Sequence, residues 1–315
     1  MLVYRHIPAK PSAQNTHKLA LSIGNFDGMH LGHQALLAKL VAVAKTQHLM
    51  PAVMTIEPHP REFFTPQNAP ARLTNLREKL EYFVDAGIGQ VFICRFNQQF
   101  AQLSAQDFMH KILRQQLNAN TILVGDNFRF GAKRQGSIAD FVSNHFDLIS
   151  LPQVNLSAMN GEAERVSSTR VRSALASGDL SLATQLLGRP YSISGKVVHG
   201  AKRGRELGFP PANIHMRHER PALTGVYAVK LDGLNAVANL GVRPTIAGVP
   251  KLLLEVHVLD FNGDLYGKHV HVQFLQKIRE EMKFESLDAL KAQIAADIIT
   301  ARVFFDSVIP TKVGI

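Results

Sequence analysis

Cysteine is almost absent. Cys94 is the single one in 315 residues, which excludes an internal disulfide framework and makes a reducing compartment the natural setting. It lies in the apolar run VFICRF and reads as a buried, unreactive thiol. No run of about 18 apolar residues is present, so a simple spanning helix and a membrane partner are not expected. The opening stretch MLVYRHIPAKPSAQNTHK lacks an apolar core followed by a small-residue cleavage site and reads as non-secretory, hence cytoplasmic. Acidic residues are scarce beside basic ones, 25 against 35, leaving a formal charge of +10. That imbalance fits a phosphate-rich partner, either a nucleotide or a nucleic acid. With 46% apolar and 19% charged residues the chain is an ordered protein, long enough for two cores.

The chain is organised around residues 19–40, LALSIGNFDGMHLGHQALLAKL. An apolar run over 19–23 predicts a core strand, a glycine-rich turn follows, and the spacing of Leu36, Leu37, Leu40 and Val41 predicts a helix over 32–46. Strand, tight turn and helix N-terminus together expose backbone N–H groups that suit phosphate. His30 and His33 stand three apart at that point, on one face of the first turn, and either can donate to phosphate oxygens. Nucleotidyl transfer involving a bound phosphate is the leading reading of this half.

Further strands are expected over 52–56, 90–96, 121–124 and 146–151, with helices over 73–86, 105–117 and 138–144 between them. Thr74 and Ser104 are the expected N-caps. Such alternation predicts a parallel sheet with helices on both faces, whose ligands bind beyond the C-terminal strand ends. His59, in PHP after the second strand, either lines that cleft or stiffens a loop. Asn127, Phe128, Arg129, Phe130 and Arg134 occupy a glycine-rich loop where aromatic and basic side chains suit a flat ring and phosphate, although the two rings also suit loop anchoring. Ser167, Ser168 and Thr169 precede a short helix carrying Arg170 and Arg172. Arginines at a helix start oppose its dipole, so a bound anion accounts for them.

Beyond residues 188–190 the texture changes to short β-like runs, expected over 192–198, 225–231, 235–240, 252–258 and 269–274, with a closing helix over 287–305. This predicts an antiparallel barrel or sandwich. Residues 197–214, VVHGAKRGRELGFPPANI, form a basic glycine-rich stretch without the GxxxxGK[ST] spacing. Lys202, Arg203 and Arg205 suit a diphosphate, and Asn213 a Mg²⁺ ion or a hydroxyl. Glu255 sits in an apolar strand, as a solvent-facing carboxylate or as a general base. Arg279, Glu280 and Lys283 read as a surface patch on composition alone.

These motifs, in this order, resemble the bacterial bifunctional riboflavin kinase/FMN adenylyltransferase (FAD synthetase) family from about residue 19 to 305. GNFDGMHLGH, with Gly24, Asn25, Phe26, Asp27, Gly28, His30 and His33, resembles its adenylyltransferase motif, whose histidines bind ATP phosphates. NFRFG resembles the flavin-side loop, and SSTRVR resembles a second phosphate motif, pointing to Ser168, Thr169 and Arg172. The resemblance implies a Rossmann-like nucleotidyltransferase domain over 1–187 and a six-stranded riboflavin kinase-like barrel with a terminal helix over 188–315. In that barrel Gly200, Lys202, Arg205, Gly208 and Pro210 would lie near ADP phosphates, with Arg279 of the REEMKF stretch also at the cofactor. Asn213 would serve the metal and Glu255 would be the base on the ribityl 5′-hydroxyl. Riboflavin, FMN and ATP with Mg²⁺ are the implied reactants, FAD the product, and nucleic acid is not an expected partner. One departure stands out. The family pattern GFPTAN reads GFPPAN here, so Pro211 replaces a threonine and removes a hydroxyl and an N–H. That substitution predicts a weakened kinase half beside an intact adenylyltransferase.

Overall fold

The structure, a computed structural model, describes residues 1–8, 17–157, 163–199, 211–216, 220–243 and 251–308. The chain divides into two compact units, Met1–Pro70 with Leu76–Ser168, and Ala71–Asn75 with Thr169–Ile315.

The first unit runs β1 (Leu2–Tyr4), β2 (Leu19–Ile23), α1 (Leu31–Thr46), β3 (Met50–Glu57), α2 (Pro60–Phe64), α3 (Leu76–Asp85) and β4 (Gln90–Arg95). It continues through α4 (Gln98–Ala101), α5 (Ala105–Asp107), β5 (Ala119–Gly125), the short pair β6 (Arg129–Phe130) and β7 (Gly136–Ser137), α6 (Ile138–Ser143), β8 (Asp147–Leu151), β9 (Asn155–Ser157) and β10 (Ala163–Arg165). Six strands make one sheet in the order β1-β4-β3-β2-β5-β8, parallel throughout. β2 is central and all five of its residues are buried. Its alternation divides the core. Leu19, Leu21 and Ile23 pack with Phe108, Met109, Leu113 and Phe141 on one face. Ala20 shares the other with Leu37 and Leu40 of α1 and Phe83 of α3. Burying a leucine or phenylalanine in this way contributes roughly 1.5–3 kcal/mol each, so the continuous apolar run of β2 is what a two-sided sheet requires.

Local differences from the expected elements have physical causes. β1 was not expected; it is three residues long and adds to the sheet only through β4. The helix expected over 73–86 begins at Leu76, and Gly87 follows it at φ +78°, the left-handed geometry that ends helices. Ser104 does cap α5, accepting from Asp107 N at 3.0 Å, but from Phe108 to Gln116 the backbone widens into π-helical spacing, with Leu117 N donating to Ile112 O. Cys94 is buried, and burial pushes its thiol up to about 12.

The second unit carries α7 (Ser168–Ala176, whose first residue closes the first unit), α8 (Leu180–Leu187), six strands and α9 (Leu287–Val308). The strands are β11 (Ser192–Val198), β12 (Ala212–His215), β13 (Gly225–Leu231), β14 (Leu234–Arg243), β15 (Lys251–Val258) and β16 (His269–Arg279). They close into an antiparallel barrel, β11-β12-β15-β14-β13-β16, which decides between barrel and sandwich. The β13–β14 hairpin turns through Asp232 and Gly233, both at positive φ, matching the twist of its strands. β12 supplies the sixth strand from within the stretch expected to be a loop; its four residues follow two prolines and show no alternation. Ala301 and Phe305 of α9 cover Val226, Ala228 and Val237 on the barrel's outer face.

Candidate active sites

At the C-terminal end of β2 the chain makes a constrained turn. Gly24 N donates to Met54 O at 3.1 Å and the Thr55 hydroxyl to Asn25 O at 3.4 Å, so the turn is laid along the end of β3. Phe26, Gly28 and Met29 all adopt positive φ. For Phe and Met this costs of order 1–3 kcal/mol each, offset by near-complete burial of both side chains. Phe26 packs edge-on to Phe83 of α3 and tilts against His33. The turn ends on His30, which caps α1: its Nδ1 accepts from His33 N at 3.4 Å. Nε2 is therefore the donor nitrogen of neutral His30. Gly32 lets the His30 ring lie close, since a Cβ there would stand 3.2 Å from it and the ring would have to give by a few tenths of an ångström.

The two imidazoles stack, with centroids 3.7 Å apart and planes at 19°. His33 is half-buried, and its Nδ1 is enclosed with no hydrogen-bond partner. Burial, then the charge of His30, then that of Lys79, hold His33 well below the ordinary histidine value. Two stacked rings cannot both carry a proton cheaply. The pair stands at the N-terminus of a 16-residue helix, where backbone N–H groups and the helix dipole favour an anion.

Other candidate residues take up varied positions. The Ser168 hydroxyl donates to Asp27 O at 2.8 Å, joining the glycine-rich turn. Thr169 and Arg172 fall in the second unit, where Arg172 Nε donates to Ala71 O at 2.6 Å. His59 caps α2, its Nδ1 accepting from Arg61 N at 3.2 Å while Glu62 accepts from His59 N. Phe128 stacks on Phe130 and Phe141, whereas Asn127 and Arg129 are exposed.

In the barrel, Glu255 of β15 stands in register between Asn213 of β12 and Asn239 of β14. The three therefore share one face of the sheet, opposite buried Leu254 and Val256. Asn213 is buried and Glu255 half-buried. The donor set is oxygen-rich, which suits a hard divalent cation. Asn213 Nδ2 reaches Pro211 O at 3.5 Å. Arg279 donates to both carboxylate oxygens of Asp297 on α9 and to Glu280 O, and lies over the Phe284 ring. Gly200, Lys202, Arg203, Arg205, Gly208 and Pro210 lie outside the described residues.

Two family models match the chain, FAD synthetase over residues 12–170 and riboflavin kinase over residues 187–305. The bifunctional riboflavin kinase/FMN adenylyltransferase of Escherichia coli K12 is 47% identical over 297 residues, covering 90% of this chain and 92% of its own length. The chain belongs to the bacterial bifunctional riboflavin kinase/FMN adenylyltransferase family. The Haemophilus influenzae member is 45% identical, covering 91% of this chain and 94% of its own length. A crystal structure described as a macrolide-efflux protein from Streptococcus pneumoniae shares the fold at a TM-score of 0.77 and 31% identity, over 96% of this chain and 98% of that one. The chain is accordingly a two-activity enzyme of flavin cofactor synthesis, acting on riboflavin, FMN and ATP. Among the described residues no helix is long and apolar enough to cross a membrane.

Within the first unit, two features escaped the sequence pattern. Lys79 of α3 is buried and forms an ion pair with Glu57 at the end of β3, 2.7 Å apart. Phe63, Phe64, Phe96 and Phe100 form an edge-to-face aromatic chain beyond β3 and β4, with Phe64 60% exposed. The doubled phenylalanine of PREFF was the available signal for the second.

Proposed function

We propose that the glycine-rich turn, His30 and His33 hold the ATP triphosphate for adenylyl transfer, and that the polar row of the barrel carries riboflavin phosphorylation, with 1–187 and 188–315 as the two functional domains. The observation that carries the first assignment is the stacked imidazole pair with an enclosed, unpartnered Nδ1 on a helix N-terminus. In this reading Gly24, Asn25, Phe26, Asp27 and Gly28 bring backbone close to phosphate, Ser168 supplies a further donor, and Thr169 and Arg172 are assigned to phosphate on sequence grounds. The FMN phosphate oxygen is already anionic, attacks the α-phosphorus and expels pyrophosphate without a protein base. Stabilisation of the charge on the transferring and leaving phosphates by the imidazole N–H groups supplies the rate. Asn127, Phe128 and Arg129, with the exposed aromatic chain ending at Phe64, favour the flavin side. His59 shapes the same strand end through its cap on α2.

In the barrel, Glu255 takes the proton from the ribityl 5′-hydroxyl, whose oxygen attacks the γ-phosphorus of ATP and releases ADP. Asn213 would hold Mg²⁺ together with substrate phosphates, and the ion would neutralise developing phosphate charge. Gly200, Lys202, Arg205, Gly208 and Pro210 are assigned to the ADP phosphates on sequence grounds. Arg279 holds α9 against β16, and any role at the cofactor passes through that contact. The enzyme is placed in the cytoplasm, where its substrates and a reduced Cys94 coexist. Chromatography of products after incubation with riboflavin, ATP and Mg²⁺, and separately with FMN and ATP, tests both halves. His30→Ala should lower FAD formation at least about tenfold and spare FMN formation; equal losses would point to a folding defect instead.

A further inference from the structure

Lys79 is the buried cation that neither half-reaction has used. Its side chain is 3% exposed, and among the described residues its ammonium has one hydrogen bond, to Glu57 Oε1 at 2.7 Å. An ammonium carries three donors, so this is an incompletely satisfied buried charge, which native interiors avoid unless something else is bound there. Its position is well defined. Lys79 and Phe83 are four apart on α3 and so lie on one face of the helix. Phe83 packs on Phe26 of the glycine-rich turn, with centroids 5.3 Å apart. Side chains on a helix lean toward its N-terminus, and Glu57, which receives the ammonium, is the last residue of β3, beyond Thr55 and its bond to the turn. The positive charge is felt at His33 as well.

We infer that Lys79 is a phosphate-binding residue of the adenylyl transfer site, positioned by Glu57 and presented to the triphosphate beside His33. Glu57 holds the ammonium in place, and the anion takes up the donors that Glu57 does not use. No covalent step involves either residue. The inference rests on the placement of the triphosphate at His30 and His33. A rival role is purely structural, in which Lys79 only neutralises Glu57.

The two roles part in a double variant of the full chain. Lys79→Met alone removes the buried cation that Glu57 holds at 2.7 Å, so both stability and activity should fall. Glu57→Gln/Lys79→Met removes both charges and should recover the thermal midpoint. With Lys79 as a phosphate ligand, that double variant stays about tenfold or more below wild type in kcat/KM for ATP in FMN adenylylation, the loss of one charge-assisted hydrogen bond. Its affinity for inorganic pyrophosphate, measured by calorimetry, falls in parallel, and its riboflavin phosphorylation stays within about twofold of wild type. Recovery of wild-type kcat/KM for ATP and of pyrophosphate affinity in the double variant overturns the inference. Should the double variant remain unstable, Lys79→Arg, which keeps the charge, must retain pyrophosphate binding, and loss of it there counts equally against. His33→Ala assayed alongside separates the two levels. If it too is fully active, the triphosphate placement itself fails; if it is impaired while the double variant is not, Lys79 alone is excluded.

Discussion

Replacing His33 with alanine removes a ring whose tasks can be separated. The helix cap survives, because the bond at 3.4 Å runs from the backbone N–H of residue 33 to His30 Nδ1. Packing is lost on two sides, the stack on His30 at 3.7 Å and the tilted contact with Phe26 at 5.2 Å. Aromatic contacts of this kind contribute about 0.5–1.5 kcal/mol each, so a stability loss of about 1–2 kcal/mol is expected in the first unit. The functional loss is larger. A hydrogen bond from an imidazole to a charged phosphate contributes about 1.5–3 kcal/mol, and each 1.36 kcal/mol is tenfold in rate. FAD formation from FMN and ATP should fall about 10- to 150-fold in kcat/KM for ATP, while FMN formation from riboflavin stays within about twofold. The assay is chromatographic separation of riboflavin, FMN and FAD at several ATP concentrations. Adenylyl transfer within twofold of wild type would show that His33 does not contact the triphosphate.

Other consequences follow from particular contacts. His33 titrates well below the ordinary value of 6.5, so below that pH the unfolded chain binds a proton that the folded chain does not. Stability should therefore fall as pH is lowered through about 6.5 and on toward the folded value, and thermal midpoints of His33→Asn should fall less over the same range. Asp297→Ala leaves Arg279 without the carboxylate it grips through two nitrogens and should cost the barrel about 3 kcal/mol in urea unfolding, with adenylyl transfer unchanged. Pro211→Thr should raise the rate of riboflavin phosphorylation by restoring a hydroxyl beside Asn213; equal rates in the two proteins would remove Pro211 from the account.

How far the sequence reached depended on whether the informative residues were neighbours along the chain. The strand, turn and helix around Gly24–His33 were legible because a local apolar run, glycines and a three-residue histidine spacing all act within one turn. Stacking of the two rings follows from that spacing. The Lys79–Glu57 pair spans 22 positions and Arg279–Asp297 spans 18, and nothing local marks either partner. Arg279 looked like part of a surface patch for that reason. β12 was illegible because four residues after two prolines carry no period, and only the register with β11 and β15 makes them a strand. The same register puts Glu255 beside Asn213 and Asn239, turning an isolated acidic residue in an apolar strand into a polar row. The widened turns from Phe108 to Gln116 have no counterpart in the helical periodicity that announced that segment.

In the proposed adenylyl transfer site, the imidazoles at the head of α1 hold the triphosphate. A crystal structure of the full chain with an ATP analogue blocked at the α–β bridge tests it most directly. Triphosphate oxygens within hydrogen-bonding distance of His30 Nε2 and of the His33 ring, with the Ser168 hydroxyl still seated on Asp27, are the predicted result. Analogue density in the first unit with both imidazoles uncontacted would contradict it.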